Sequence, residues 1–103
     1  MLKNTSPQIK VFKLSTGEEI IVRIKEITAH SNHYVVEKAL QIAQVGNGIS
    51  LVPYFFLIDQ DSSWTLNRDL IIGEGEPGPK LRAEYESQIT GVALPEQRKI
   101  ITG

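Results

Sequence analysis

An all-β domain followed by one C-terminal helix is the fold this sequence predicts, and three observations carry it. Most apolar stretches are short and rich in β-branched residues. They follow one another without intervening helical periods, which argues for a small antiparallel barrel rather than an alternating α/β fold. A helical pattern begins only after Pro77-Gly78-Pro79.

Taken in order, Lys10 to Leu14 alternates and is closed by the turn signal Ser15-Thr16-Gly17. Along Glu18 to Ile27, Ile20, Val22 and Ile24 share one face at period two, and their branching disfavours a helix. Ile27 breaks that alternation, so a bulge near Lys25-Glu26 is expected to bring it to the same core. His30-Ser31-Asn32-His33 reads as a turn. Tyr34 to Val45 reads as strand with an interruption at Lys38-Ala39, and Gly46-Asn47-Gly48 as a hairpin turn. Ile49 to Ile58 is the most apolar run, and Pro53 inside it demands an edge position or a bend. Asp59 to Ser63 is loop, Trp64 to Leu66 strand, Asn67-Arg68-Asp69 a tight turn, and Leu70 to Ile72 strand. Lys80 to Ile89 then forms a helix with Leu81, Tyr85 and Ile89 on one face and Gly91 at its C-terminal cap.

Composition sets the bounds. At 103 residues one domain is expected, residues 1–103, with the barrel over about 9–76, the helix over about 79–90 and a loose tail over 95–103. A 41% hydrophobic content excludes a disordered chain. No apolar run approaches the roughly 20 residues needed to span a bilayer, and the N-terminal residues have no signal-peptide character. Zero cysteines excludes disulfides and thiol chemistry and fits a reducing compartment, so a cytoplasmic location is expected. A formal net charge of -1 speaks against a clamp that holds long nucleic acid through its phosphates.

Several chemical motifs fail on physical grounds. Gly73, Gly75 and Gly78 spell G-x-G-x-x-G, but Glu74 and Glu76 would repel a pyrophosphate, and Pro77 and Pro79 remove N–H donors. No nucleotide cofactor is expected. His30 and His33 with Glu26 or Glu37 do not have metal-ligand spacing, and Ser31 beside a histidine lacks a nucleophile elbow, so neither a metal nor an enzyme is expected. The aromatic group Tyr54, Phe55, Phe56 and Trp64 is expected in core packing and subunit contact. Ile49 to Ile58 is too apolar to remain an open edge, which calls for cover within the chain or pairing with a second subunit.

Residues 14–37 resemble the first motif of Sm-like proteins, the superfamily that includes LSm proteins and Hfq. Leu14 and Gly17 match its opening, and Ile20, Ile24 and Ile27 its hydrophobic ladder. His30 falls where that family places a ring that stacks on a base, and Asn32 where its Asn reads a base edge. Val22 replaces the second Gly, Thr28 replaces the Asp that orients the Asn, and in the second motif Arg68 stands one position displaced with the Gly missing. The pattern resembles that of divergent Sm-like proteins of cyanophages and marine metagenomic sequences. The resemblance implies a strongly bent five-stranded antiparallel barrel (an SH3-type barrel) with one C-terminal helix. It also implies a homo-oligomeric ring of about five to seven subunits. The implied function is binding of short U- or A-rich single-stranded RNA, without catalysis, through His30, Asn32 and Arg68. A structural or protein-interaction ring that has lost RNA binding is the second expectation.

Overall fold

A single residue in β3, Lys38, organises the sheet. The structure, a computed structural model, describes residues 8–27, 32–55, 57–59 and 61–90. Within these the elements are β1 (Gln8–Leu14), β2 (Glu19–Ile27), β3 (His33–Val45), β4 (Gly48–Pro53), β5 (Ser63–Asn67), a single 3-10 turn (Arg68–Leu70), β6 (Ile71–Gly75) and α1 (Pro79–Ile89). All ladders are antiparallel. The strand order is β4-β3-β2-β1-β6, with β5 pairing with β3 outside that path. The chain is thus mostly β, an antiparallel sheet with one C-terminal helix. Among the described residues no ladder joins β5 to β6, so the sheet is not closed by hydrogen bonds.

Strand alternation builds two cores. On one face Phe12, Leu14, Ile20, Val22, Ile24, Tyr34, Val36, Ala39 and Leu66 pack together. On the other, Ile9, Ile21, Leu40 and Leu51 pack against Tyr85 of α1, flanked by Val11, Ile42, Leu81 and Ile89. In β1 and β2 the assignment follows parity, as the period-two pattern predicts. In β3 parity changes at Lys38: Tyr34 and Val36 point into the first core, whereas Leu40 and Ile42 point into the second.

The cause is a bulge. Ile21 pairs with Leu40 and Arg23 with Glu37, so Lys38 and Ala39 together oppose Val22. Lys38 has a φ of 56°, the left-handed region that a side chain seldom adopts. From this point β3 also changes partner, since residues 33–37 pair with β5 and residues 40–45 with β4. A second register shift between Ile24 and Glu26 places the expected bulge in β2.

Helix α1 is 11 residues long, too short to persist alone, and its docking holds it. Pro79 occupies the first turn, where its missing N–H costs nothing. Tyr85 is fully buried, and its hydroxyl donates to the Lys38 carbonyl at 2.6 Å. The helix therefore satisfies an acceptor beside the bulge. On the same face the Arg23 guanidinium pairs with Glu37, whose residue is 8% exposed.

Three expectations need correction. The strands number six, as the element-by-element reading has them, rather than the five that the family resemblance implies. The strand expected to reach Ile58 stops at Pro53, whose ring cannot donate to a ladder, and Tyr54 and Phe55 turn instead onto Trp64. Ile27 does not join the core: it is the last residue of β2 and is 55% exposed. The helix closes on Thr90, and Gly91, Phe56 and the tail 95–103 lie outside the described residues. No described helix is long and apolar enough to cross a membrane.

Tyr85→Phe keeps the ring and removes the hydroxyl, leaving the Lys38 carbonyl without its donor. Urea unfolding should show a loss of about 1–2 kcal/mol. Burial pushes the Tyr85 hydroxyl above the usual tyrosine range; Arg23 opposes this and Glu37 adds to it. The stability held in the neutral phenol is therefore complete below about pH 10, where an unfolded tyrosine ionises, and declines as pH rises beyond it. Tyr85→Phe should decline less steeply across that alkaline range than the parent protein.

Candidate functional site

The first half of β3 meets β5 in five ladder pairs, from His33↔Asn67 to Glu37↔Ser63. That register sets Asn32, just before β3, beside Arg68, just after β5. A backbone bond closes the junction, with the Arg68 N–H donating to the Asn32 carbonyl at 2.9 Å. Two of the residues singled out in the sequence are thereby neighbours, and both are exposed. Asn67 caps the 3-10 turn through its side-chain oxygen, which accepts from the Asp69 N–H at 2.9 Å. The Asn32 Nδ2 donates to the same oxygen at 3.4 Å.

Arg68 rests on a support of two rings. Its guanidinium carbon lies 4.8 Å from the Tyr34 ring centroid, a cation–π contact. The Tyr34 ring also stacks on Phe12, with centroids 5.4 Å apart and planes inclined by 16°. The Tyr34 hydroxyl donates to Glu74 Oε1 at 3.2 Å. Burial raises the Tyr34 hydroxyl above its ordinary value, Glu74 adds to this, and Arg68 and Lys10 oppose it. The phenol is a neutral donor under ordinary conditions.

This arrangement offers an amide with donor and acceptor sides next to an exposed cation. Such a pair can hold the polar edge of a planar ring and a nearby anionic oxygen. Among the described residues no group of three or more His, Cys, Asp or Glu could hold a metal ion. Glu37, considered with the histidines, is engaged with Arg23. His30, Thr28 and Ser31 lie outside the described residues. Gly17 takes no part here; it has a φ of 106° in the β1–β2 turn, where its N–H donates to the Leu14 carbonyl at 2.8 Å.

The glycine-rich stretch is not a phosphate loop. Gly73 and Gly75 are ladder partners of Lys13 and Val11 within β6, and Gly78 is the N-cap of α1. The open cleft beside them, about 360 Å³, has Glu74 and Glu76 among its lining residues, where they oppose an anion.

Tyr34, Asn67 and Glu74 were not singled out by the sequence reading. Tyr34 looks like any apolar strand residue, and no local signal ties Glu74 to it. Asn67 does carry a signal, because Asn before a short helical turn is a cap. Its contact with Asn32 depends on the β3–β5 register. No known protein family and no curated protein matches the chain.

The support of Arg68 by Tyr34 is measurable as a coupling. A double-mutant cycle of Tyr34→Leu and Arg68→Ala in thermal unfolding should give about 0.5–1 kcal/mol of favourable interaction. Strictly additive effects would show that the guanidinium does not rest on the ring.

Proposed function

We propose that the chain is a subunit of an Sm-like homo-oligomeric ring that binds short single-stranded, U- or A-rich RNA without performing chemistry on it. The observation that carries this reading is the meeting of Asn32 and Arg68. One supplies base-edge hydrogen bonds, the other a cation for phosphate, and His30, two residues before Asn32 in the sequence, supplies the stacking ring. The same resemblance nominated both residues, Asn32 through its first motif and Arg68 through its second. Their adjacency, through the Arg68 N–H bond to the Asn32 carbonyl, is what a shared site would need.

In this reading each subunit is a strongly bent barrel, with the β5–turn–β6 segment carrying the chain from the β3 side of the sheet to the β1 side. The strand edges support the ring. Both ends of the strand path, β4 and β6, have one edge unpaired among the described residues. Exposed apolar residues accompany both: Ile49 and Val52 in β4, Leu70 and Ile72 at β6. Pairing β4 of one subunit with β6 of the next covers both edges. Such head-to-tail contacts end in a ring when the rotation closes.

One observation favours the second reading, a ring that serves protein contacts alone. The Arg68 cation is already engaged by Tyr34, whose hydroxyl bonds to Glu74. Filter binding of oligo-U and oligo-A separates the two. The RNA reading expects salt-sensitive binding, and His30→Ala should weaken it by about 1–3 kcal/mol per stacked base. Asn32→Ala and Arg68→Ala should each weaken it as well. Binding no tighter than about 100 μM at low salt would leave the protein-contact reading in place.

A further inference from the structure

The contacts around the 3-10 turn determine which way an amide faces. The Asp69 backbone N–H can only donate, so the Asn67 atom 2.9 Å from it is the oxygen. That same oxygen lies 3.4 Å from the Asn32 side chain. Two amide oxygens would repel at this separation, so Asn32 turns its nitrogen toward Asn67. The order of dependence runs from an obligatory backbone donor, through Asn67, to Asn32. Among the described residues, the Asn32 oxygen and its second N–H have no other partner.

A carboxamide has nearly the same shape on both sides and opposite hydrogen-bonding character. Free to turn over, it exchanges donor and acceptor and pairs with base edges of either sense. Uracil presents an imino N–H beside a carbonyl; cytosine presents a bare ring nitrogen beside an amino group. The outlines match and the donors are reversed. An amide held one way accepts one of these edges. Against the other it sets donor against donor and acceptor against acceptor, leaving both sides unsatisfied.

We propose that Asn67 is a positioning residue that locks the Asn32 carboxamide in one orientation and so lets the site choose between uracil and cytosine edges. This deepens the RNA reading and rests on it. Asn67 itself touches no base; it acts through Asn32.

Two substitutions separate this role from capping. N67S retains a hydroxyl that caps the turn, but its shorter side chain does not reach Asn32. N67D retains an oxygen that accepts from both N–H groups. The first readout is the Asn32 side-chain ¹H–¹⁵N pair in the free protein by NMR, assigned by its loss in N32D. The second is the ratio of oligo-U to oligo-C dissociation constants, with thermal midpoints as the control for folding. The wild type should discriminate by about tenfold or more. N67S should move the Asn32 signals and collapse the ratio toward one at an unchanged midpoint, and N67D should preserve both. A wild-type ratio already near one, or N67S with unchanged signals and ratio, overturns the proposal. If the wild type binds neither oligonucleotide while N67S still moves the Asn32 signals, the RNA reading and the base choice fall together and the amide lock stands.

Discussion

The left-handed backbone at Lys38 is the constraint from which the rest of the structure follows. One extra residue in β3 reverses the strand's facing, so a single strand contributes Tyr34 and Val36 to one core and Leu40 and Ile42 to the other. Without that reversal, one half of β3 would expose its apolar set or bury its polar one. A lysine at φ 56° is strained, on the order of 1 kcal/mol. Burial on both sides outweighs this, since each fully buried large apolar side chain contributes about 1.5–3 kcal/mol. Tyr85 completes the arrangement from the helix by hydrogen-bonding the carbonyl at the bend.

The same bend makes the site. Because β3 changes partner at Lys38, its first half is free to pair with β5. That ladder carries Arg68 back to Asn32 across a long stretch of chain. The first core then gives the arginine its footing, for Tyr34 is at once a buried core residue and the surface on which the guanidinium rests. Packing and recognition are joined in one side chain. Polar contacts at the rim, from Asn67 and Glu74, set the orientation of what the core supports.

Much of the fold was legible because local physics agreed with the tertiary outcome. The alternation of Ile20, Val22 and Ile24 defined a face, Pro53 marked an edge, and Pro79 with Leu81, Tyr85 and Ile89 marked the helix. Failures came where tertiary contacts overrode local preference. Lys38 could be marked only as an interruption, since a lysine carries no sign of left-handed backbone that a glycine would show. Phe55 to Ile58 read as strand because it is apolar, yet Trp64 draws Phe55 away from the ladder. Ile27 read as core because period and bulge allowed it, but the β2 strand outruns the core. Asn32 and Arg68 were expected at one site only through the family resemblance; the β3–β5 register that sets them side by side has no local signal.

Two features stand together, a polar site at one loop junction and, among the described residues, two unpaired apolar edges at opposite ends of the strand path. The proposed ring would relate them, since it would cover the edges and gather one copy of the site from each subunit. Near-neutral charge per chain then no longer argues against nucleic acid, because a closed assembly multiplies a modest site. Native mass spectrometry of the protein with oligo-U tests this most directly. The account predicts one assembly of about five to seven chains carrying a single oligonucleotide. A chain that stays monomeric at tens of micromolar, with or without bound RNA, would contradict it.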